Sequence, residues 1–272
     1  MIKFSIIIPS YNQSLYLKNC LNNILQQNYD NYEIIIIDGG SEDNSIEIIK
    51  SFAKKFYKIT YWESKKDYGQ ADAINKGIKK CSGDWITWQN CDDYFFSNNV
   101  LTVFADYIAR NLNKKLIVGN INLVNKNKKI IRDIKYVKPN LTSLVYEGMV
   151  LSNQAAFWKR EIHKKIGFLE NTRLDFDYEW FMRILYNYPK AALHVNDILG
   201  CYRIHKNQKT FKKNSEDFRI KMKFRFKYGY NAQFLWQKLF LLKIRRFFLY
   251  IFQGNIFYAV RGFLSQFYKK NS

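Results

Sequence analysis

The strongest constraint on the fold is an alternation confined to residues 1–93. Four short apolar runs, KFSIII at 3–8, EIIIID at 33–38, KITYW at 58–62 and DWITWQ at 84–89, are separated by stretches with helical spacing. The runs at 3–8, 33–38 and 84–89 are apolar enough to suit buried strands, and 58–62 reads as a third strand between them. Between them, Leu17, Leu21, Ile24 and Leu25 mark one helix. Ile48, Ile49, Phe52 and Phe56 mark a second, with Asp43 or Asn44 placed to cap it, and a third is expected over about 71–81. Such alternation predicts a doubly wound, mostly parallel sheet flanked by helices. Ligands of these sheets bind at the carboxyl ends of the strands. Pro9, Tyr11, Asp38, Asn90, Asp92 and Asp93 fall at those ends.

The second half has a different texture. LIVGNINLV (116–124) and KKIIRDI (128–134) read as a hairpin turning near 125–127. An amphipathic helix over about 175–187 carries Phe176, Trp180, Ile184 and Tyr188, and AALHV and ILGCYRIH are expected as closing strands. Without an internal repeat or flexible linker, 1–215 is expected to be one α/β domain. Its expected halves are 1–93 and 94–215. Cys20, Cys81, Cys91 and Cys201 form no CxxC pair, which favours free thiols over a zinc site or disulfide framework. The opening MIKFSIIIPS has too short an apolar run for a signal peptide, so cytoplasmic retention is expected.

Seven segments, taken together and in order, resemble the inverting glycosyltransferases of family 2. They are SIIIPSYNQ (5–13), IIIIDGGSEDNS (34–45), DYGQADAINKGIKKCSGDW (67–85), QNCDD (89–93), NQAAFWKREIHKKIGFLE (153–170), DFDYEWFMRI (175–184) and YRIH (202–205). The resemblance covers roughly 1–210 and implies the GT-A fold, a Rossmann-like sheet that binds a nucleotide-activated sugar, with uridine diphosphate the expected carrier, 1–93 the nucleotide-binding half and 94–215 the acceptor half. It implies that Tyr11, beside Pro9, stacks on the base and that Asp38 accepts a hydrogen bond from uracil. Asp67, Asp72 and Asn75 would face ribose or sugar hydroxyls. The family's Asp-X-Asp motif falls on 90–92, with Asn90 in place of the first aspartate. Asp92 is then the ligand of Mn²⁺ or Mg²⁺, Asn90 can bond ribose or bound water, and Asp93 shapes the loop or contacts the sugar. His205 is implied at the metal or the diphosphate beside Arg203, and Asp177 as the base that deprotonates the acceptor. Gln154 and Trp158 are expected to line the acceptor side. Bland structural roles stand beside these: a packed tyrosine at Tyr11, a turn aspartate at Asp38, a helix-start aspartate at Asp72, and helix caps at Asp175 and Asp177.

The net charge is +21, and 218–272 holds 12 Lys/Arg, 17 aromatic residues and no acid. Its longest charge-free run, 14 residues at 247–260, is interrupted by Gln, Gly and Asn, too short and polar for a membrane span. Residues 216–272 are therefore expected as a helical, basic and aromatic extension lying on an anionic membrane, at the inner face of the cell membrane. The same segment could instead pack on the catalytic domain or pair two copies. A membrane location would suit a glycan acceptor on a polyprenyl diphosphate, as in cell-surface polysaccharide synthesis. Nucleic-acid binding would use the charge but leaves the strand-end carboxylates without a purpose, and an inactive scaffold would be favoured only by Asn90.

Overall fold

The computed structural model describes residues 1–206, 208 and 214–261. The first half runs β1 (Phe4–Ser10), α1 (Ser14–Leu25), β2 (Tyr32–Asp38), α2 (Ser45–Lys55), β3 (Ile59–Ser64), α3 (Gln70–Lys80) and β4 (Trp85–Trp88). The four strands lie parallel in the order β3–β2–β1–β4, as the alternation predicts. Every residue of β1 and β2 is buried, so neither strand shows a solvent-facing period. Their side chains divide between two cores. Ile7, Ile35 and Ile37 pack with Ile74 and Ile78 of α3, while Phe4, Ile6, Ile34 and Ile36 pack with Leu17, Leu21 and Ile49. α3 lies close on β1 because residue 77 is glycine: a Cβ there would stand 2.5 Å from Cγ2 of Ile7.

The second half continues with β5 (Tyr94–Phe95), α4 (Val100–Arg110), β6 (Leu116–Val124), β7 (Ile130–Ile134), α5 (Leu141–Glu147), β8 (Ala156–Lys159), α6 (His163–Ile166), α7 (Phe176–Asn187) and β9 (Ala192–Arg203). β6 and β7 form the expected antiparallel hairpin. β8 pairs antiparallel with both β4 and β6 and so joins the two halves into one sheet. β9 runs parallel to β6 and antiparallel to β5. AALHV and ILGCYRIH are thus parts of one strand, not two. The polar pair Asn196–Asp197 suggests a break, but Asn120 Nδ2 donates to the Asn196 carbonyl (2.9 Å), and shifts of register around Asn120 carry the pairing through.

The chain continues with α8 (Ser215–Lys227) and α9 (Leu235–Phe252). Phe224 and Tyr228 belong to the core that also holds α3 and α7, as does Leu242 of α9. The polar anchor is Glu179 on α7, fully buried. It accepts from Arg183 Nε through both oxygens (3.1 Å each) and from the Tyr228 hydroxyl (2.6 Å), and pairs with Lys227 Nζ (3.2 Å). Arg225 donates to the carbonyls of Val145 and Tyr146. α9 is held by Arg246 on Glu147 (2.9 Å) and Tyr250 on the Lys135 carbonyl (2.8 Å). The extension therefore packs on the rest of the chain, while Trp236, Phe240, Phe248 and Phe252 face outward, exposed. Among the described residues, no helix is long and apolar enough to cross a membrane.

Candidate active site

The ends of β1, β2 and β3 are stitched together before any ligand is considered. β2 delivers Asp38 into the sheet edge, fully buried. Its carboxylate accepts from the Gly40 N–H (3.1 Å), the Ser41 N–H (2.8 Å) and the hydroxyls of Ser41 (2.6 Å) and Ser64 (2.8 Å). These donors leave it little free accepting capacity, so the turn-aspartate role is realised. Gly40 makes the turn with φ 82°, and a Cβ on Gly39 would stand 2.8 Å from Oδ2 of Asp67. The pair of glycines thus lets Asp67 come up against the β2 turn, where its Oδ1 accepts from the Gly69 N–H (2.8 Å). Asp43 does more than start α2. It accepts from the N–H of Ser45 (3.0 Å) and of Ser14 (2.9 Å), tying the first turns of two helices to one carboxylate. Burial opposes its charge, but the bonds from Ser45 and Ser14 win and hold its carboxyl down at about 2. Tyr11 follows β1 and is 58% exposed.

Asp72 and Asn75 have internal partners. Asp72 accepts from the Tyr68 N–H (3.1 Å) and pairs with Lys76 (3.0 Å), as a carboxylate in a first helical turn does. Asn75 spans both backbone groups of Leu169, donating to its carbonyl and accepting from its N–H at 2.9 Å each. Its amide ties α3 to the chain that leads into α7.

Beyond β4, the loop turns on Asp93, which is buried. Oδ1 accepts from the Arg203 N–H (2.9 Å), and Oδ2 from Gln154 Nε2 (2.6 Å) and Asn90 Nδ2 (3.0 Å). Burial, with neighbouring Asp92 second, pushes its carboxyl well above the usual range despite these donors. Asn90 Oδ1 in turn accepts from Gln70 Nε2 (2.8 Å). This geometry gives a physical reason for asparagine at 90: an aspartate there would face the Asp93 carboxylate and lose the donor that now satisfies it. Gln154, expected on the acceptor side, is buried behind Asp93 instead. Trp158 is also displaced from that expectation. It is fully buried between Trp88 and Trp180, with Nε1 donating to His163 (2.9 Å), and cannot line an open surface.

Asp92 points the other way, its side chain 21% exposed, with Oδ2 2.9 Å from Nε2 of His205. The His205 ring lies against Tyr16 (5.1 Å), and its Nδ1 is buried with no hydrogen-bond partner among the described residues. Next to it the Arg203 guanidinium lies over the rings of Tyr16 (5.0 Å) and Tyr94 (5.5 Å). Sequence reasoning did not single out Gln70, Tyr16 or Tyr94, because a helix stripe and a two-residue strand carry no local signal of which loop they face. Thiols back this edge: Cys20 Sγ lies 3.7 Å from the Asn90 carbonyl and Cys91 Sγ 3.5 Å from the Pro9 carbonyl. All four cysteines are free and buried, and burial raises each thiol, Cys201 to about 11 and Cys81 to about 12.

Asp177 lies in the first turn of α7. The residue before that helix, Asp175, is held in the left-handed region at φ 60°, a strained conformation for a side chain other than glycine. Asp177 Oδ1 accepts from the Tyr178 N–H (2.8 Å). Burial raises its carboxyl from 3.8 to about 6, with Asp175 adding to the rise, while the Tyr178 N–H and Lys221 pull it down. A carboxylate near 6 is well matched to accepting a proton at neutral pH. Glu179, the third acid of DFDYEW, is buried under α8 and is excluded from such a role.

Among the described residues, no group of three or more His, Cys, Asp or Glu side chains gathers to hold a metal. Asp92 and His205 nevertheless supply one oxygen and one nitrogen at a half-open edge. That pair fits a divalent ion which draws its remaining ligands from phosphate and water.

A mostly parallel sheet flanked by helices, with polar loops along one edge, is the GT-A fold. Residues 5–167 match the family model of glycosyl transferase family 2, and the chain belongs to that family. It is 29% identical to an uncharacterized glycosyltransferase of Haemophilus influenzae over 255 residues, 93% of this chain and 97% of that protein. With glycosyltransferase GlyA of Streptococcus pneumoniae the identity is 26% over 219 residues, 75% of this chain, which spans only 31% of that longer relative. Among solved structures, the fold is shared with S. aureus TarS 1–349 in complex with UDP-GlcNAc. The TM-score is 0.69 at 17% identity, over 88% of this chain and 70% of that one.

Proposed function

We propose that this glycosyltransferase moves a sugar from a uridine diphosphate sugar to a hydroxyl of a glycan acceptor, with inversion at the anomeric carbon. The observation that carries the reading is the contrast between two acids of the site. Asp92 is half-open and paired with His205, whereas Asp177 is raised to about 6 by burial. The exposed Tyr11 ring stacks on the base; Asp67 lies along the ribose. Asp38, held by the Gly40, Ser41 and Ser64 donors, fixes the turn that flanks the base. Asp177 takes the acceptor proton as that oxygen bonds to the anomeric carbon. The bond from that carbon to the phosphate oxygen breaks on the opposite face, and the nucleotide diphosphate departs with its electron pair. Asp92 and His205 would hold Mn²⁺ or Mg²⁺, which supplies charge to offset that of the leaving diphosphate. Asn90 and Asp93 keep the loop in register.

The outward aromatic face of α9, on a segment with no acid from 218 to 272, rests on anionic lipid at the cytoplasmic face of the membrane. A seat there would suit an acceptor carried on a polyprenyl diphosphate. Thermal unfolding with Mn²⁺ and a panel of nucleotides tests the donor: UDP is expected to raise the midpoint more than GDP or dTDP. Equal or no stabilisation by all three would overturn the uridine assignment. Sedimentation with vesicles containing phosphatidylglycerol, against phosphatidylcholine alone, tests the surface.

A further inference from the structure

The turn that presents Asp177 is gripped from outside the matched family region, on two sides and with opposite charges. Arg173 pairs through its guanidinium with Asp217 in the first turn of α8, Nε lying 3.1 Å from Oδ1. Two residues on, Asp175 pairs with Lys221 Nζ (3.5 Å), one helical turn along the same face of α8. Asp217 is buried and fixed further by the cap of its own helix, accepting from the Asn214 N–H (3.0 Å). The Lys221 ammonium also lies over the Tyr178 ring (4.8 Å), directly beside Asp177. A cation and an anion spaced four apart on α8 thus meet an anion and a cation spaced two apart on the turn. Only one register of helix against turn satisfies both. The segment so held contains the left-handed Asp175, a conformation that persists only where its surroundings enforce it.

We infer that Lys221 is a positioning residue for sugar transfer: α8, through Lys221 on Asp175 and Asp217 on Arg173, sets the turn that aims Asp177. The inference rests on the reading of Asp177 as the base. It makes the basic extension part of the catalytic apparatus. Among the described residues, the charged groups facing Asp177 are Asp175 on its own turn and Lys221 from α8. The Tyr178 phenol beside it lies near Arg225, also from α8.

The experiment titrates the carboxyl carbons of ¹³C-labelled aspartate in the full-length chain by NMR, with Asp177 assigned from the signal lost in Asp177→Asn. Removing the cation in Lys221→Met is expected to move the Asp177 midpoint upward by roughly half a pH unit. Lys221→Arg, which keeps the charge, is expected to leave it in place. In parallel, Mn²⁺-dependent hydrolysis of UDP-GlcNAc by Lys221→Met should lose about tenfold in kcat with KM little changed, since the nucleotide loops are untouched. An unmoved Asp177 midpoint in Lys221→Met overturns the inference, as does an equal shift in Lys221→Arg. If Lys221→Met does not fold, Asp217→Asn weakens the other half of the grip and is expected to shift the same carboxyl; no shift there overturns the inference equally. Should the titration behave as expected while the wild-type chain hydrolyses no uridine, guanosine or thymidine diphosphate sugar, the transferase reading fails and the positioning of Asp177 by α8 stands.

Discussion

β1 and α9 are both strongly apolar stretches, yet one is sealed and the other is bare. All seven residues of β1 are buried between two helical layers. Of the eighteen residues of α9, only Leu242 is buried, and Trp236, Phe240 and Phe252 are among the most exposed apolar side chains of the described chain. Hydrophobicity alone does not separate the two. The difference lies in their company. β1 is flanked by strands on both sides, whereas α9 carries Lys238, Lys243, Arg245 and Arg246 within its own length and buries only Leu242 among the described residues. An apolar run interleaved with cations is built to remain at a boundary.

The sharpest way to break this comparison is to attack the buried point where the extension meets the core. Glu179→Ala leaves Arg183 without its counter-charge and removes the acceptor of Tyr228. A loss of about 3–5 kcal/mol in denaturant unfolding is expected. A value below about 1 kcal/mol would mean that the extension is not part of the folded unit. Asp177→Asn should cost about 10²–10⁴ in turnover while UDP still stabilises the protein. Its effect on stability has the opposite sign. An acid raised from 3.8 to about 6 binds more protons folded than unfolded, so stability falls as pH rises through that window. The asparagine variant is therefore expected to be more stable than wild type at pH 8, by roughly 1–2 kcal/mol after allowing for partial exposure. The turnover of the native protein should correspondingly fall as pH drops through about 6.

Asn90→Asp restores a carboxylate at the first motif position but sets it against Asp93. The expected result is a loss of about 1–2 kcal/mol with no gain in Mn²⁺-dependent UDP binding, read by thermal unfolding. Tighter metal-dependent binding would show that position 90 faces the ligand and not the loop. The smallest stability effect belongs to the bare face: Trp236→Ser should change unfolding by under about 0.5 kcal/mol while reducing sedimentation with anionic vesicles.

The first half of the fold was legible because each of its strands announces itself over a few contiguous residues and each helix repeats at a fixed spacing. The turn at Asp38 and the loop at 90–93 could be placed for the same reason. Residues that depend on distant partners were less readable. Trp158 looks available in NQAAFWK until β8 is seen wedged between β4 and β6. Gln154 is drawn behind Asp93 across 61 positions of sequence, and β9 crosses a polar pair that would end most isolated strands. Neither the partners of Asn75 nor the grip of α8 on Asp175 has a local signature, since pairings over such separations are decided by topology.

The four thiols give the molecule an internal clock. Cys20 and Cys91 sit directly behind the aspartate loop, Cys201 lies on the strand that pairs with β5, and Cys81 closes α3. Each is buried with its proton held tightly, so an alkylating reagent finds no thiolate in the resting fold. A reaction at Cys20 or Cys91 must wait for the loop beneath Asp92 to part. The pace of their modification therefore counts the openings of the edge that carries Asp92 without any label being added to it.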